Sequence, residues 1–95
     1  DSNLIKDVSK KERLFRKHLT HPKIKSIRGK GLMLAIELED EILAKELVEE
    51  SMKKGLVLFY FLFTKTAIRI TPPLTISENE IVKGCNIIKQ ILENK

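Results

Sequence analysis

Residues 67 to 76 read AIRITPPLTI, with Arg69 between Ile68 and Ile70 and two prolines directly after the run. Successive side chains of a strand point to opposite faces. Ile68 and Ile70 therefore share one face, and Ala67, Arg69 and Thr71 share the other. If the isoleucines meet a core, Arg69 projects from the far side of the sheet. A buried guanidinium without a partner is costly, and its planar fork can grip a carboxylate or phosphate at two points. Pro72 and Pro73 restrict the backbone just beyond it. The chemistry on offer is anion recognition. Read alone, the stretch also fits an arginine on a solvated sheet face.

The other candidate residues have plainer readings. His18 and His21 have no Cys, His or carboxylate at metal-ligand spacing, so both read as structural. Cys85 falls on an apolar helical stripe, where a thiol behaves as a small hydrophobe. Gly29-Lys30-Gly31 is too short for a phosphate loop and precedes a strand, not a helix. Glu37 and Glu39 share one strand face, as acids turned toward water often do. Tyr60 sits in an apolar run without a second aromatic platform of the kind that stacks single-stranded RNA.

The elements that position Arg69 follow from periodicity. Ile5, Val8, Glu12, Phe15 and Leu19 recur at helical spacing, which predicts a helix over 3–19, ended by Thr20-His21-Pro22. Residues 24–28 read as a weak strand. Leu32, Leu34, Ile36 and Leu38 alternate with Met33, Ala35, Glu37 and Glu39, a strand with one apolar face. Gly29 and Gly31 around Lys30 predict a tight hairpin between the two. A second helix is expected over 41–54, with Asp40 as N-cap, an inner stripe of Ala44, Leu47, Val48 and Ser51, and Gly55 at its end. LVLFYFLF (56–63) reads as a strand buried on both sides, and residues 67–71 as a fourth, short one. Ser77 and Glu80 form a capping-box pair for a last helix with the stripe Ile81, Cys85, Ile88 and Leu92. The order α-β-β-α-β-β-α predicts an α+β fold, a four-stranded antiparallel or mixed sheet with helices on one face.

Bulk properties set the remaining bounds. Ninety-five residues make one domain, residues 1–95, and 42% hydrophobic with 33% charged residues is a globular composition. The formal charge is 18 − 13 = +5. The lysines alternate with glutamates, as in KELVEESMKK, which is the pattern of a solvated face and not of a nucleic-acid surface. A single cysteine excludes a disulfide framework and favours a cytoplasmic origin. The longest apolar run is far below a membrane span. The chain opens without methionine and enters a helical pattern at once, which suggests a piece of a longer protein.

Several stretches together resemble a known family. HPKIKSIRGKGLMLAIELE (21–39), KKGLVLF (53–59) and AIRITPPLTISENE (67–80) stand in the order and at the spacing of the C-terminal small domain of class III pyridoxal-phosphate-dependent aminotransferases, the ornithine and acetylornithine aminotransferase group. The similarity runs from about residue 3 to residue 93. RGKGLM and IRITPPL at this separation form a specific combination.

The resemblance implies a role for Arg69: it is similar to the family arginine that binds the substrate's α-carboxylate, facing the large domain where the cofactor lies. It implies a parent transaminase that moves an amino group between an amino acid (ornithine, acetylornithine, lysine or a similar ω-amino substrate) and a 2-oxo acid. The parent would be a cytoplasmic homodimer using pyridoxal 5'-phosphate. The family's cofactor-bearing lysine, its phosphate ligands and its pyridine-pairing aspartate lie in the large domain, and nothing in these 95 residues resembles them. No catalytic, cofactor-binding or metal residue is therefore expected in this chain. The isolated piece is expected to be inactive and to bind no cofactor, with the large domain and the amino and oxo acids as partners and neither nucleic acid nor membrane. LFYFLFTK (58–65) lies where the family varies between substrates and reveals no specificity. The rival classes are a free-standing small α/β module for a ligand or nucleic acid, and an oligomerisation domain.

Overall fold

Alternation along residues 32–38 builds the centre of the sheet. Leu34, Ile36 and Leu38 are buried while Met33 is exposed, so this strand turns one apolar face inward. The computed structural model describes residues 2–56, 59 and 61–95. Its elements are α1 (Ser2–His18), β1 (Ile24–Lys30), β2 (Met33–Leu38), α2 (Glu41–Lys53), β3 (Phe61–Thr64), β4 (Ala67–Ile70) and α3 (Glu78–Glu93). The strands lie in the order β1-β2-β4-β3, and every neighbouring pair is antiparallel. The sheet is thus antiparallel and not mixed: both hairpins, β1–β2 and β3–β4, close through two-residue turns, and β4 also meets β2 antiparallel.

The β2–β4 register sets the core. Leu34 stands opposite Ile70 and Ile36 opposite Ile68, and all four are buried. α2 lies on this side against β2, β3 and β4, α3 packs on α2, and α1 packs on α3. One core results, joined by Phe15, Leu19, Leu47, Ile81, Cys85, Ile88 and Leu92 among others. The expected helix caps form. Leu43 N–H donates to Asp40 Oδ1 at 2.7 Å, and Ser77 and Glu80 exchange backbone and side-chain hydrogen bonds. Gly55 takes a positive φ of 87° just past α2, the left-handed conformation that ends a helix most easily at glycine.

α1 closes the free edge of β1. Arg16 donates to Ile27 O at 3.1 Å and Gly29 O at 2.7 Å, so a charged side chain occupies carbonyls that an edge strand would otherwise expose. Glu12, half-buried, accepts from Gly31 N–H at 2.6 Å and from Arg16 Nε at 3.0 Å. Glu12 interrupts the apolar stripe of α1 because it is the acceptor that the hairpin requires.

Three expectations need correction. The hairpin turn falls on Gly31 and Leu32, since Lys30 still pairs with Met33 and Gly29 belongs to β1. Glu39 lies beyond β2, so Glu37 and Glu39 do not share one strand. Residues 56–63 are not one strand buried on both sides: β3 starts at Phe61, forms the edge of the sheet, and leaves Leu62 51% exposed. The reason is Phe59. Its ring leaves the sheet plane for the helix layer, 5.5 Å from the ring of Phe15 and directly over Gly84. The remaining residues of that expectation, Val57, Leu58 and Tyr60, lie outside the described residues.

Two stability predictions follow from these contacts. A Cβ at position 84 would stand 2.7 Å from Phe59 Cζ. The helix-propensity gain of Gly84→Ala, about 1 kcal/mol, is set against overpacking of about 1–3 kcal/mol, so the urea midpoint should fall; an unchanged or raised midpoint would refute the close packing. The Gly31 N–H donated to Glu12 holds its carboxyl below the ordinary 4.5; partial burial opposes this and Arg16 reinforces it. A depressed folded pKa gives stability that is complete above the unfolded value and lost as pH falls through the folded one. Glu12→Gln should therefore be less stable than the parent chain at pH 7, and the gap should narrow as the pH is lowered below about 4.5, as read by urea unfolding at each pH.

Candidate functional site

β4 is an interior strand of the sheet, laddered to β2 on one side and to β3 on the other. Ile68 and Ile70 are fully buried and Arg69 is exposed on the opposite face, as the alternation requires. Pro72 is buried, and Ile76 N–H donates to Pro73 O at 3.0 Å, which turns the chain toward α3. Lys11, itself buried, donates to Leu74 O at 2.8 Å and pairs with Asp7 at 3.1 Å. The segment after Arg69 is thus tied to α1.

The register places a row across the open face. Arg28 on β1 stands opposite Ala35 on β2, Ala35 opposite Arg69 on β4, and Arg69 opposite Leu62 on β3. Two guanidinium groups flank one methyl. The face is concave, with a volume of about 620 Å³, and its lining includes both arginines, Met33, Ala35, Leu62 and Thr71. Met33 is 72% exposed. Apolar surface and cations together on one open face mark a place for a partner or ligand.

The two arginines differ in their company. Arg28 NH2 donates to Glu37 Oε2 at 3.2 Å, and Glu37 Oε1 accepts from the Thr66 hydroxyl in the β3–β4 turn. No acid pairs with Arg69 among the described residues. The site's available charge is therefore the guanidinium of Arg69. Arg28 opens the RGKGLM stretch and Thr66 carries no signal of its own, and nothing local in the sequence sets either beside Arg69. Their place follows from the pairing register, which a single strand does not encode.

The other candidates fall elsewhere. His21 Nδ1 accepts from Lys23 N–H at 3.1 Å, and Nε2 meets Glu93 Oε2 at 2.9 Å, which ties the α1–β1 connection to α3. Burial pushes the Cys85 thiol up to about 12, so it is no nucleophile near neutral pH. Gly31 serves the hairpin through Glu12, and Tyr60 lies outside the described residues. Among the described residues no three His, Cys, Asp or Glu side chains gather to hold a metal, and no helix is long and apolar enough to cross a membrane. Among the described residues that line the concave face there is no lysine to carry an aldehyde and no acid to pair with a ring nitrogen. What it can do is take a carboxylate on Arg69 beside an apolar floor.

Comparison with known proteins identifies the fold. An acetylornithine aminotransferase from Elizabethkingia anophelis superposes over 100% of this chain and 26% of its own, with a TM-score of 0.84 and 27% identity. The acetylornithine aminotransferase of Haemophilus ducreyi is 34% identical over 89 residues, which is 93% of this chain and 22% of that protein. Ornithine aminotransferase 1 of Staphylococcus aureus is 37% identical over 76 residues, 80% of this chain and 18% of that one. The chain thus spans about a quarter or less of the length of these relatives. The model of the family described as Aminotransferase class-III matches residues 1–92. With the sheet order, the caps and Arg69 already in place, this match over nearly the whole chain shows that it belongs to the class-III aminotransferase family.

Proposed function

We propose that this chain is the C-terminal small domain of a pyridoxal-phosphate-dependent transaminase, and that Arg69 binds the carboxylate of its amino-acid and oxo-acid substrates. One observation carries the reading: Arg69 stands on the open face of an interior strand with no acid paired to it among the described residues. A planar guanidinium matches a carboxylate at two points, which an ammonium does not. The relatives include acetylornithine, ornithine and 4-aminobutyrate aminotransferases. Their names share an ω-amine carried by a molecule with a carboxylate, the class of substrate proposed here, with a 2-oxo acid as the acceptor.

Within such an enzyme the division of labour follows from the residues present. Pyridoxal phosphate supplies the electron sink for moving the amino group, and a large domain outside these residues would hold it. This chain's part is to orient. Arg69 fixes one end of the substrate, and the apolar floor of Ala35, Met33 and Leu62 excludes water around that ion pair, which strengthens it. The same open face is where the large domain would close over the sheet; the relatives have about three quarters or more of their length outside the region matched here. A homodimeric parent in the cytoplasm goes with this reading.

In the full-length enzyme, Arg69→Lys keeps the charge and loses the two-point grip. A charge-assisted hydrogen bond contributes about 1.5–3 kcal/mol, so losing the two bonds of that grip should lower kcat/KM for L-ornithine or its N-acetyl derivative on the order of 10²–10⁴-fold. Cofactor absorbance should persist, and 1,4-diaminobutane, which lacks the carboxylate, should lose far less. Equal losses on both substrates, or none, would remove Arg69 from the substrate site. The isolated 95-residue chain, mixed with pyridoxal phosphate and freed of excess, should show no stable one-to-one visible absorbance band. A stoichiometric band would mean that one of its own lysines carries the cofactor.

A further inference from the structure

Glu37 is diagonal to both arginines of the open face. It stands opposite Ser26 on β1 and Ala67 on β4, so Arg28 and Arg69 each lie two residues further along a neighbouring strand. Such diagonals are about 7–8 Å apart in an antiparallel pair, within reach of long side chains. Glu37 reaches along one of them and not along the other. Its Oε2 accepts from Arg28 at 3.2 Å, and its Oε1 accepts from the Thr66 hydroxyl. The β3–β4 turn is itself pinned at that point, since Leu38 N–H donates to Thr66 O at 2.9 Å.

A carboxylate tethered one diagonal from Arg69 is a built-in competitor for the same guanidinium. Tethering gives it an effective concentration on the order of millimolar or higher, comparable with or above a free substrate. We infer that Arg28 and Thr66 are positioning residues that occupy both oxygens of Glu37 and so keep Arg69 open for the substrate carboxylate. The inference rests on the assignment of Arg69 to that carboxylate. It gives Arg28 a role different from a second anion site: its charge is matched by Glu37, which, among the described residues lining the concavity, leaves the Arg69 guanidinium for a single carboxylate at this end of the substrate.

The test is a mutant cycle in the full-length enzyme with L-ornithine as substrate. Thr66→Val alters no charge and frees one oxygen of Glu37; Arg28→Met frees the other. The double variant should raise KM about ten-fold with kcat held, the signature of a ground-state competitor. Adding Glu37→Gln should bring KM back toward the parent value, and its effect in that background should exceed its effect in the parent enzyme. Rescue by the added substitution also shows that the loss was not unfolding. Additive changes would mean that the three residues act only through their net field, and an unchanged KM would mean that Glu37 never reaches Arg69; either result overturns the inference. Arg69→Lys run alongside separates the layers. If it raises KM while the double variant does not, the sequestration alone falls. If it leaves L-ornithine untouched, the assignment of Arg69 falls and the sequestration with it.

Discussion

The antiparallel register between β2 and β4 is the constraint on which the molecule depends. It sets Leu34 against Ile70 and Ile36 against Ile68 on one face, and Ala35 against Arg69 on the other. A slip of one residue would carry the isoleucines into the open and drive the guanidinium into the helix layer. Burial of four β-branched or leucine side chains opposes that slip far more strongly than any polar contact could. The position of Arg69 is thus enforced from behind, by the core, and not by its own interactions.

The polar contacts do a different job: they close what an open-faced sheet leaves unfinished. Arg16 covers carbonyls on the free edge of β1, Glu12 takes the Gly31 N–H of the hairpin, and Lys11 takes a carbonyl in the irregular segment after the prolines. All three donors or acceptors come from α1. That helix packs its apolar stripe on α3 and turns its charged side chains toward backbone that no strand can pair. Backbone groups near an edge must find such partners or water.

Much of this was legible in the residues. Strict alternation along β2 and the Ile-Arg-Ile triplet of β4 specified both faces of the sheet, and Asp40, Ser77 and Glu80 marked the helix starts through their own hydrogen-bonding chemistry. The strand order was harder to read. Nothing local says that β4 inserts between β2 and β3, and the row Arg28–Ala35–Arg69 exists only once it does. The apolar run at 56–63 misled because continuous hydrophobicity does not distinguish a strand buried on both faces from a chain that drops one aromatic, Phe59, into a neighbouring layer. Gly84, on α3, is what makes room for that ring, and a glycine within a helical pattern does not announce its partner.

The interior position of β4 bears on entropy. Ladders on both sides and two prolines after the strand immobilise the backbone of Arg69 before any anion arrives. The rotational freedom left to be lost on capture is that of the arginine side chain, about 2 kcal/mol at most. An arginine on a mobile loop would add the cost of ordering several backbone residues at about 1–2 kcal/mol each. A carboxylate met by this sheet therefore finds a receptor whose main conformational expense was met during folding.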